Sequence, residues 1–235
     1  MTPLVSIRNL HFRYPDGAVA LAGVDFELHA GETVALLGAN GSGKTTFLLH
    51  LNGLLQGEGH VEVTGLPVRP DTLASIRQQV GFVFQDSDDQ LFMPTVFEDV
   101  LFGPLNLGLP PEEAELRARA ALDAVGMPGH DEKAPYHLSA GEKKRVAIAG
   151  ILAMEPALLV LDEPTTYLDP PGQAALVDLL RDLPQAKIVA THDIDFALAL
   201  ASRAVFFQAG RIAASGPVAE MIERFDWDRR PRALH

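Results

Sequence analysis

The sequence predicts an α/β fold with a mostly parallel core sheet, an antiparallel β region ahead of it and a helical unit inserted into it. Three observations carry this. Four short apolar runs, Val34–Leu37, Phe82–Phe84, Leu158–Leu161 and Ile188–Ala190, have no polar interruption, which is how strands buried on both faces of a parallel sheet read. The first fifth of the chain alternates instead, Val5 and Ile7 with Ser6 and Arg8, then Val24, Phe26 and Leu28 with Asp25 and Glu27, and a Tyr14-Pro15-Asp16-Gly17 turn lies between. The stretch from Asp86 to Met154 has no convincing strand and contains a helix opened by Pro110 and Pro111, acidic at Glu112, Glu113 and Glu115, and stopped by Gly126.

In chain order, the half-exposed strands lead to the run Val34–Leu37 and then to a helix expected from Lys44 to Asn52. In the inserted unit, Glu113/Arg117 and Glu115/Arg119 lie one turn apart and predict a solvated charged face. The chain returns to strand at Ala204–Phe207, turns at Ala209-Gly210 and resumes at Arg211–Ala213; Ser215-Gly216-Pro217 then opens a last helix before a tail holding Trp227, Arg229, Arg230 and Arg232. The expected division is one domain over 1–235: an α/β core with its β region from 1–85 and 155–215, a helical unit over 86–154, and a C-terminal helix and tail over 216–235.

Composition bounds the chemistry. A net charge of -12 disfavours free attraction to nucleic acid or an anionic membrane, while leaving room for a basic pocket. A chain without cysteine has no disulfide framework, zinc ribbon or thiolate chemistry. No apolar stretch approaches the roughly 18 residues of a membrane span. The opening lacks a basic start, a continuous apolar centre and a cleavage site, so the expectation is a cytoplasmic protein whose mature chain begins near Met1.

The segment from Gly38 to Thr45, GANGSGKT, matches GxxxxGK[ST], follows an apolar run and precedes a helix, the context this motif requires. Its glycines let backbone N–H groups turn inward around phosphate, the helix N-terminus adds positive charge, Lys44 reaches the outer phosphates, and the Thr45 hydroxyl is a ligand for Mg²⁺. Leu158–Leu161 ends in Asp162 and Glu163, two carboxylates suited to a metal shell and to orienting or deprotonating an attacking water. Gln85 follows Phe82–Phe84, and His192 follows Ile188–Thr191. Ligands bind beyond the carboxyl ends of parallel strands, so these four polar positions are expected to converge on one sheet edge. Ser139 and Glu142 form an S-x-x-E capping box, with Gly141 between them and Lys143-Lys144-Arg145 as an exposed basic helix face; a capped helix start is also an anion site. Tyr14 is a candidate for stacking on a base.

This ordered set resembles the ATP-binding-cassette (ABC) ATPases, P-loop enzymes, over nearly the whole chain. In that likeness Tyr14 is the adenine-stacking aromatic, and Gly38, Asn40, Gly41, Ser42, Gly43, Lys44, Thr45 and Thr46 belong to the Walker A loop. Gln85 is the Q-loop glutamine, Ser139, Gly141 and Glu142 lie in the signature motif, Asp162 and Glu163 are the Walker B aspartate and catalytic glutamate, Leu168-Asp169 is the D-loop, and His192 is the switch histidine. The resemblance implies ATP and Mg²⁺ as cofactors, catalytic roles for Lys44, Gln85, Glu163 and His192, metal contacts from Thr45, Gln85 and Asp162, and a site completed by Ser139 and Gly141 of a second ABC chain. Ala140-Gly141 stands for the usual glycine pair, Glu142 for the usual glutamine, and Tyr167 for a small residue before the D-loop leucine.

A narrower likeness is to the ATPase subunits of energy-coupling-factor importers, particularly the cobalt/nickel branch. It rests on Val80–Asp86, Asp88–Val96, Glu98–Val100, Phe102–Gly108, Lys143–Gly150 and Ala190–Asp193. It implies a peripheral motor on the cytoplasmic face of the cell membrane, working with a second ATPase chain (a copy or a paralogue), an integral membrane scaffold subunit and a substrate-binding membrane protein, and not with nucleic acid. The stretch from Asp86 to Phe102, with Asp86, Asp88 and Asp89 beside Leu91, Phe92 and Met93, is the expected scaffold-docking surface. A vitamin-type importer, or a non-transport cassette such as one serving iron–sulfur cluster assembly, stays open as an alternative.

Overall fold

The computed structural model describes residues 2–227. Arg229, Arg230 and Arg232 of the tail lie outside the described residues. The antiparallel region is a four-stranded sheet ordered β2-β1-β4-β5, from β1 (Val5–Arg13), β2 (Val19–Leu28), β4 (Glu58–Val63) and β5 (Leu66–Pro67). The core sheet is six-stranded, ordered β10-β9-β3-β8-β7-β6, from β3 (Thr33–Leu37), β6 (Val80–Val83), β7 (Leu158–Asp162), β8 (Ala186–Ala190), β9 (Arg203–Gln208) and β10 (Arg211–Pro217). Its strands are parallel except β10, which returns antiparallel along the edge through Ala209 and Gly210, both at positive φ.

The apolar runs are uninterrupted because both faces of this sheet are packed. Val34, Leu36, Val160 and Ile188 face a core shared with Phe47 of α1 (Lys44–Leu51) and Phe26 of β2. Leu159, Leu161 and Val189 face the opposite way, into a core shared with Val100 of α3 (Val96–Asn106), Leu122 of α4 (Pro111–Ala124), Ile148 of α5 (Ala140–Leu152) and Leu180 of α6 (Pro170–Asp182). A third core lies under β9, where Phe206 stacks on Phe225 just after α8 (Val218–Arg224) and Ala197 of α7 (Ile194–Leu200) joins it. α2 (Leu73–Gln79) leads directly into β6.

Three local expectations are corrected. The second apolar run forms strand two residues earlier, from Val80 to Val83, so Phe84 and Gln85 lie just beyond the strand. The last helix begins at Val218, because Ser215, Gly216 and Pro217 still pair with β9. The face of α4 is not merely solvated: Arg117 pairs with Glu113 (2.7 Å) and with Glu155 (2.9 Å), whereas Arg119 bypasses Glu115 for Asp131 (2.6 Å) and lies over the Phe97 ring. A cation held between the aromatic face of Phe97 on α3 and the carboxylate of Asp131 in the turn after α4 gains more than one held by a solvated neighbour on its own helix.

Candidate nucleotide site

The loop after β3 is shaped by glycines that no other residue replaces. Gly38 has φ +135°, and a Cβ there would stand 2.3 Å from the Phe207 carbonyl oxygen; Gly43, at φ +110°, would place one 2.6 Å from the Ala20 carbonyl oxygen. Gly43 is the N-cap of α1 and supplies no side-chain cap, so the first N–H groups of the helix are left for an anion. The loop is anchored on its far side, where Gly210 N–H donates to the Ser42 carbonyl (2.9 Å). Lys44 folds inward and donates to the carbonyls of Gly38 (2.6 Å) and Ala39 (3.3 Å). Burial, foremost, pulls its ammonium below the ordinary lysine value, against the attraction of Glu163 and Asp162.

β3, β8, β7 and β6 are neighbours in the sheet, and their carboxyl ends carry the remaining groups. Asp162 closes β7 and is buried, and its Oδ1 has no hydrogen-bond partner. Burial, foremost, lifts its carboxyl above the ordinary aspartate value, opposed by a hydrogen bond from the Thr45 side chain and by the charges of Lys44 and Lys144. Glu163 is held at φ +44°, with its N–H donating to the Ala190 carbonyl (2.9 Å). Its Oε2 accepts from His192 Nδ1 (2.8 Å) and from the His192 backbone N–H (3.2 Å). A left-handed backbone at a non-glycine residue is strained, and here it turns the carboxylate toward His192.

These groups border a cleft of about 520 Å³. Tyr14, Asn40, Gly41, Gly43, Lys44, Thr45, Thr46, Gln85, Glu163 and His192 line it, and Ala18, Val19 and Ala20 form its apolar wall. Gly38 and Ser42 belong to the loop but are not among the lining residues, nor is buried Asp162. The Tyr14 hydroxyl meets Thr46 Oγ1 at 3.0 Å, and its ring packs edge-on against Phe12, which fixes an aromatic at the mouth. Ser139, Gly141 and Glu142 are not brought into this cleft. Ser139 caps α5 by accepting from the Glu142 N–H, and the Glu142 carboxylate takes both the Ser139 N–H and its hydroxyl (2.8 Å each), the reciprocal box the sequence predicts.

Two features escape the sequence reading. Lys144 is not part of an exposed basic face: it is 2% exposed and donates to the carbonyls of Phe84 (3.0 Å) and Gln85 (2.9 Å), and burial pulls its ammonium down to about 8. The available signal was helical spacing, since Lys144 shares a stripe with buried Ala147, Ile148 and Ile151. Of the acids after Gln85, Asp86 accepts the Asp88 N–H (2.9 Å) and Asp88 pairs with Lys143 (2.6 Å), so two of the three are engaged within the chain. Phe92, by contrast, is 63% exposed against Phe102 at the rim of a second, more apolar groove of about 630 Å³.

Residues 21–166 match the family model described as ABC transporter. A putative ABC transporter ATP-binding protein of Geobacter sulfurreducens is 53% identical over 93% of this chain and 88% of its own. The energy-coupling factor transporter ATP-binding protein EcfA of Methanocaldococcus jannaschii is 48% identical over 99% of this chain and 87% of its own. Among solved structures, cbiO1 from Clostridium perfringens, described as part of the ABC transporter complex cbiONQ, is similar at TM-score 0.87 and 36% identity over 96% of this chain and 93% of that one. A dimeric ATP-binding cassette in a post-hydrolysis state, bound to ADP and Pi, is similar at TM-score 0.81 and 29% identity over 91% of this chain and 98% of that one. With the phosphate loop, the paired carboxylates and the histidine on one sheet edge, the chain belongs to the ABC transporter family and is an ABC-type ATPase.

Proposed function

We propose that this chain is the peripheral, cytoplasmic-face ATPase of an energy-coupling-factor importer for cobalt or nickel ions, and that it works as one half of a head-to-tail pair. The observation that carries the pairing is the separation of Ser139 and Gly141 from the cleft that Tyr14, Lys44, Thr45, Gln85, Glu163 and His192 line together. A second chain, copy or paralogue, supplies that helix start to the cleft. The helical unit over 86–154 then serves as the signature-bearing subdomain, and the similarity to cbiO1 supports the importer class. The metal substrate rests on the resemblance of segments such as Val80–Asp86 and Phe102–Gly108 to the cobalt/nickel branch.

In this reading the Tyr14 ring stacks on adenine, and the N–H groups from Asn40 to Thr45 cradle the phosphates. Lys44 exchanges the Gly38 and Ala39 carbonyls for the outer phosphates. The residues fit a hard divalent cation: Asp162 Oδ1 is a buried oxygen without a partner, the Thr45 hydroxyl lies beside it, and Gln85 stands at the rim. Asp162, Thr45 and Gln85 would hold Mg²⁺ there, and the ion would supply positive charge to the phosphates. Glu163 accepts the proton of the attacking water as oxygen bonds to the γ-phosphorus and the bond to ADP breaks. His192 holds the Glu163 carboxylate in place. The exposed Phe92 and its groove receive a helix of the membrane scaffold.

Among the described residues no helix is long and apolar enough to cross a membrane, so the proposed solute path belongs to partner proteins. The test is affinity purification from solubilised membranes, identification of the bound integral proteins, and uptake of Co²⁺ or Ni²⁺ by vesicles carrying that complex. ATP-dependent uptake lost in Glu163→Gln is expected. A complex that moves a vitamin and neither ion overturns the metal assignment, and the absence of any integral partner overturns the importer.

A further inference from the structure

Helix α5 touches two places at once. Its N-cap is Ser139, with Gly141 in the first turn, and one turn further along Lys144 grips the carbonyls of Phe84 and Gln85 at the carboxyl end of β6. Beside it Lys143 holds Asp88 at 2.6 Å, so the segment after β6 is fastened to α5 at three points. Gln85 itself lines this chain's own nucleotide cleft.

The Lys144 contact is an odd choice for packing alone. A buried ammonium bonded to two carbonyls costs more desolvation than an apolar side chain of the same length, a cost that the charges of Asp86 and Asp162 offset only in part, and the stripe formed by Ala147, Ile148 and Ile151 would accept an apolar residue. What the ammonium provides is direction: it binds two successive carbonyls and so sets the course of the chain as it leaves the sheet. A cleft of about 280 Å³ between residues 85–88, the start of α5 and Thr166–Tyr167 leaves this junction room to shift.

We propose that Lys144 is a positioning residue that couples the two nucleotides of a paired assembly, locking the Ser139–Gly141 turn offered to the partner's nucleotide to the Gln85 segment that meets the chain's own. This rests on the two-chain reading above. Occupancy of one cleft reaches the other through α5 and the Lys144 ammonium, with the exposed Lys143–Asp88 pair beside it.

The experiment uses the full chain with Glu163→Gln, to retain ATP, and measures Mg-ATP-dependent dimerisation by sedimentation, affinity for a fluorescent ATP analogue and the melting temperature. Lys144→Met in that background is expected to bind nucleotide within about twofold of its parent while the dimer dissociation constant rises by about tenfold or more, as for loss of a hydrogen-bonded charge. Lys144→Arg, which keeps the charge, can reach both carbonyls with its guanidinium N–H groups and has the adjoining cleft to expand into, is expected to restore dimerisation. If Lys144→Met does not fold, Lys144→Gln, too short to span both carbonyls, carries the same expectation. Unchanged dimerisation of the neutral variant, or equal loss of nucleotide affinity and dimerisation, overturns the coupling role and leaves the pairing intact. A parent that stays monomeric with Mg-ATP overturns the pairing, and this inference with it.

Discussion

The Glu163 carboxylate and His192 are joined twice, since one oxygen, Oε2, accepts both the His192 Nδ1–H at 2.8 Å and the His192 backbone N–H at 3.2 Å. Neither bond uses the other oxygen, Oε1, and Glu163, at φ +44°, lines the cleft. An amide in its place keeps the shape and loses the base. Glu163→Gln is expected to bind Mg-ATP normally and to lower hydrolysis by about 10²- to 10⁴-fold, checked by steady-state phosphate release beside equilibrium nucleotide binding.

His192→Ala removes the positioning contact and leaves the base. The expected loss in turnover is about tenfold to a hundredfold, the worth of one charge-assisted hydrogen bond, with ATP affinity little changed. An effect as large as that of Glu163→Gln would mean that His192 takes the proton itself.

Gly43→Ala combines strain with collision, because the new Cβ meets the Ala20 carbonyl oxygen at 2.6 Å in a backbone at φ +110°. The cost is roughly 1–3 kcal/mol for strain alone, so the melting midpoint should fall by about 5 °C or more. Gly31→Ala, at φ +73° with nothing within 4 Å of the built Cβ, isolates the conformational part and should fall less. Mg-ATP binding should be lost only in the first.

Asp162 makes the ligand-free protein sensitive to pH. Burial raises its carboxyl above the ordinary value of 3.8, so between 3.8 and the folded-state value the folded chain holds more protons than the unfolded one. Stability from this group is therefore fully present below pH 3.8 and is lost as pH rises through the folded-state value. Above that value the ionised, unpartnered oxygen is a cost that Mg²⁺ at the proposed site would offset. Asp162→Asn should melt a few degrees higher than the parent at pH 7 without ligand, about 2–4 °C per kcal/mol, and should lose the stabilisation that Mg²⁺ adds to ATP.

Phe92→Ala removes the most exposed aromatic at the apolar groove without touching the nucleotide cleft. Scaffold co-purification should fall about tenfold or more, as for an aromatic anchor, while ATP affinity stays the same. Neutralising Asp88 instead frees Lys143, which serves as a control for charge alone.

The parts legible in the sequence were those whose cause is local. The uninterrupted runs at Val34–Leu37 and Leu158–Leu161 read as buried strands because both sheet faces are covered, and Ser139 with Glu142 read as a capping box because its bonds close within one turn. The convergence of Gln85, Glu163 and His192 followed from the rule for strand ends, and the cleft brings them together. What escaped depends on partners distant in sequence. Lys144 meets Phe84 and Gln85 some sixty residues away, Lys143 meets Asp88, and Arg119 leaves its helix neighbour for Asp131. A second capping box, Thr95 with Glu98 at the start of α3, is equally local and legible as T-x-x-E.

In the proposed pair, the helix start at Ser139 completes the nucleotide cleft of another chain. The native sequence has no cysteine, so Asn40→Cys with Ser139→Cys in the Glu163→Gln background introduces the only two thiols. Residues 40 and 139 of one chain are not brought to a common cleft, and a disulfide requires Cα atoms within about 4.4–6.8 Å. Under mild oxidation the account predicts a cross-linked dimer that forms readily with Mg-ATP and poorly without nucleotide; a chain that stays monomeric on the gel in both conditions, or cross-links equally in both, contradicts it.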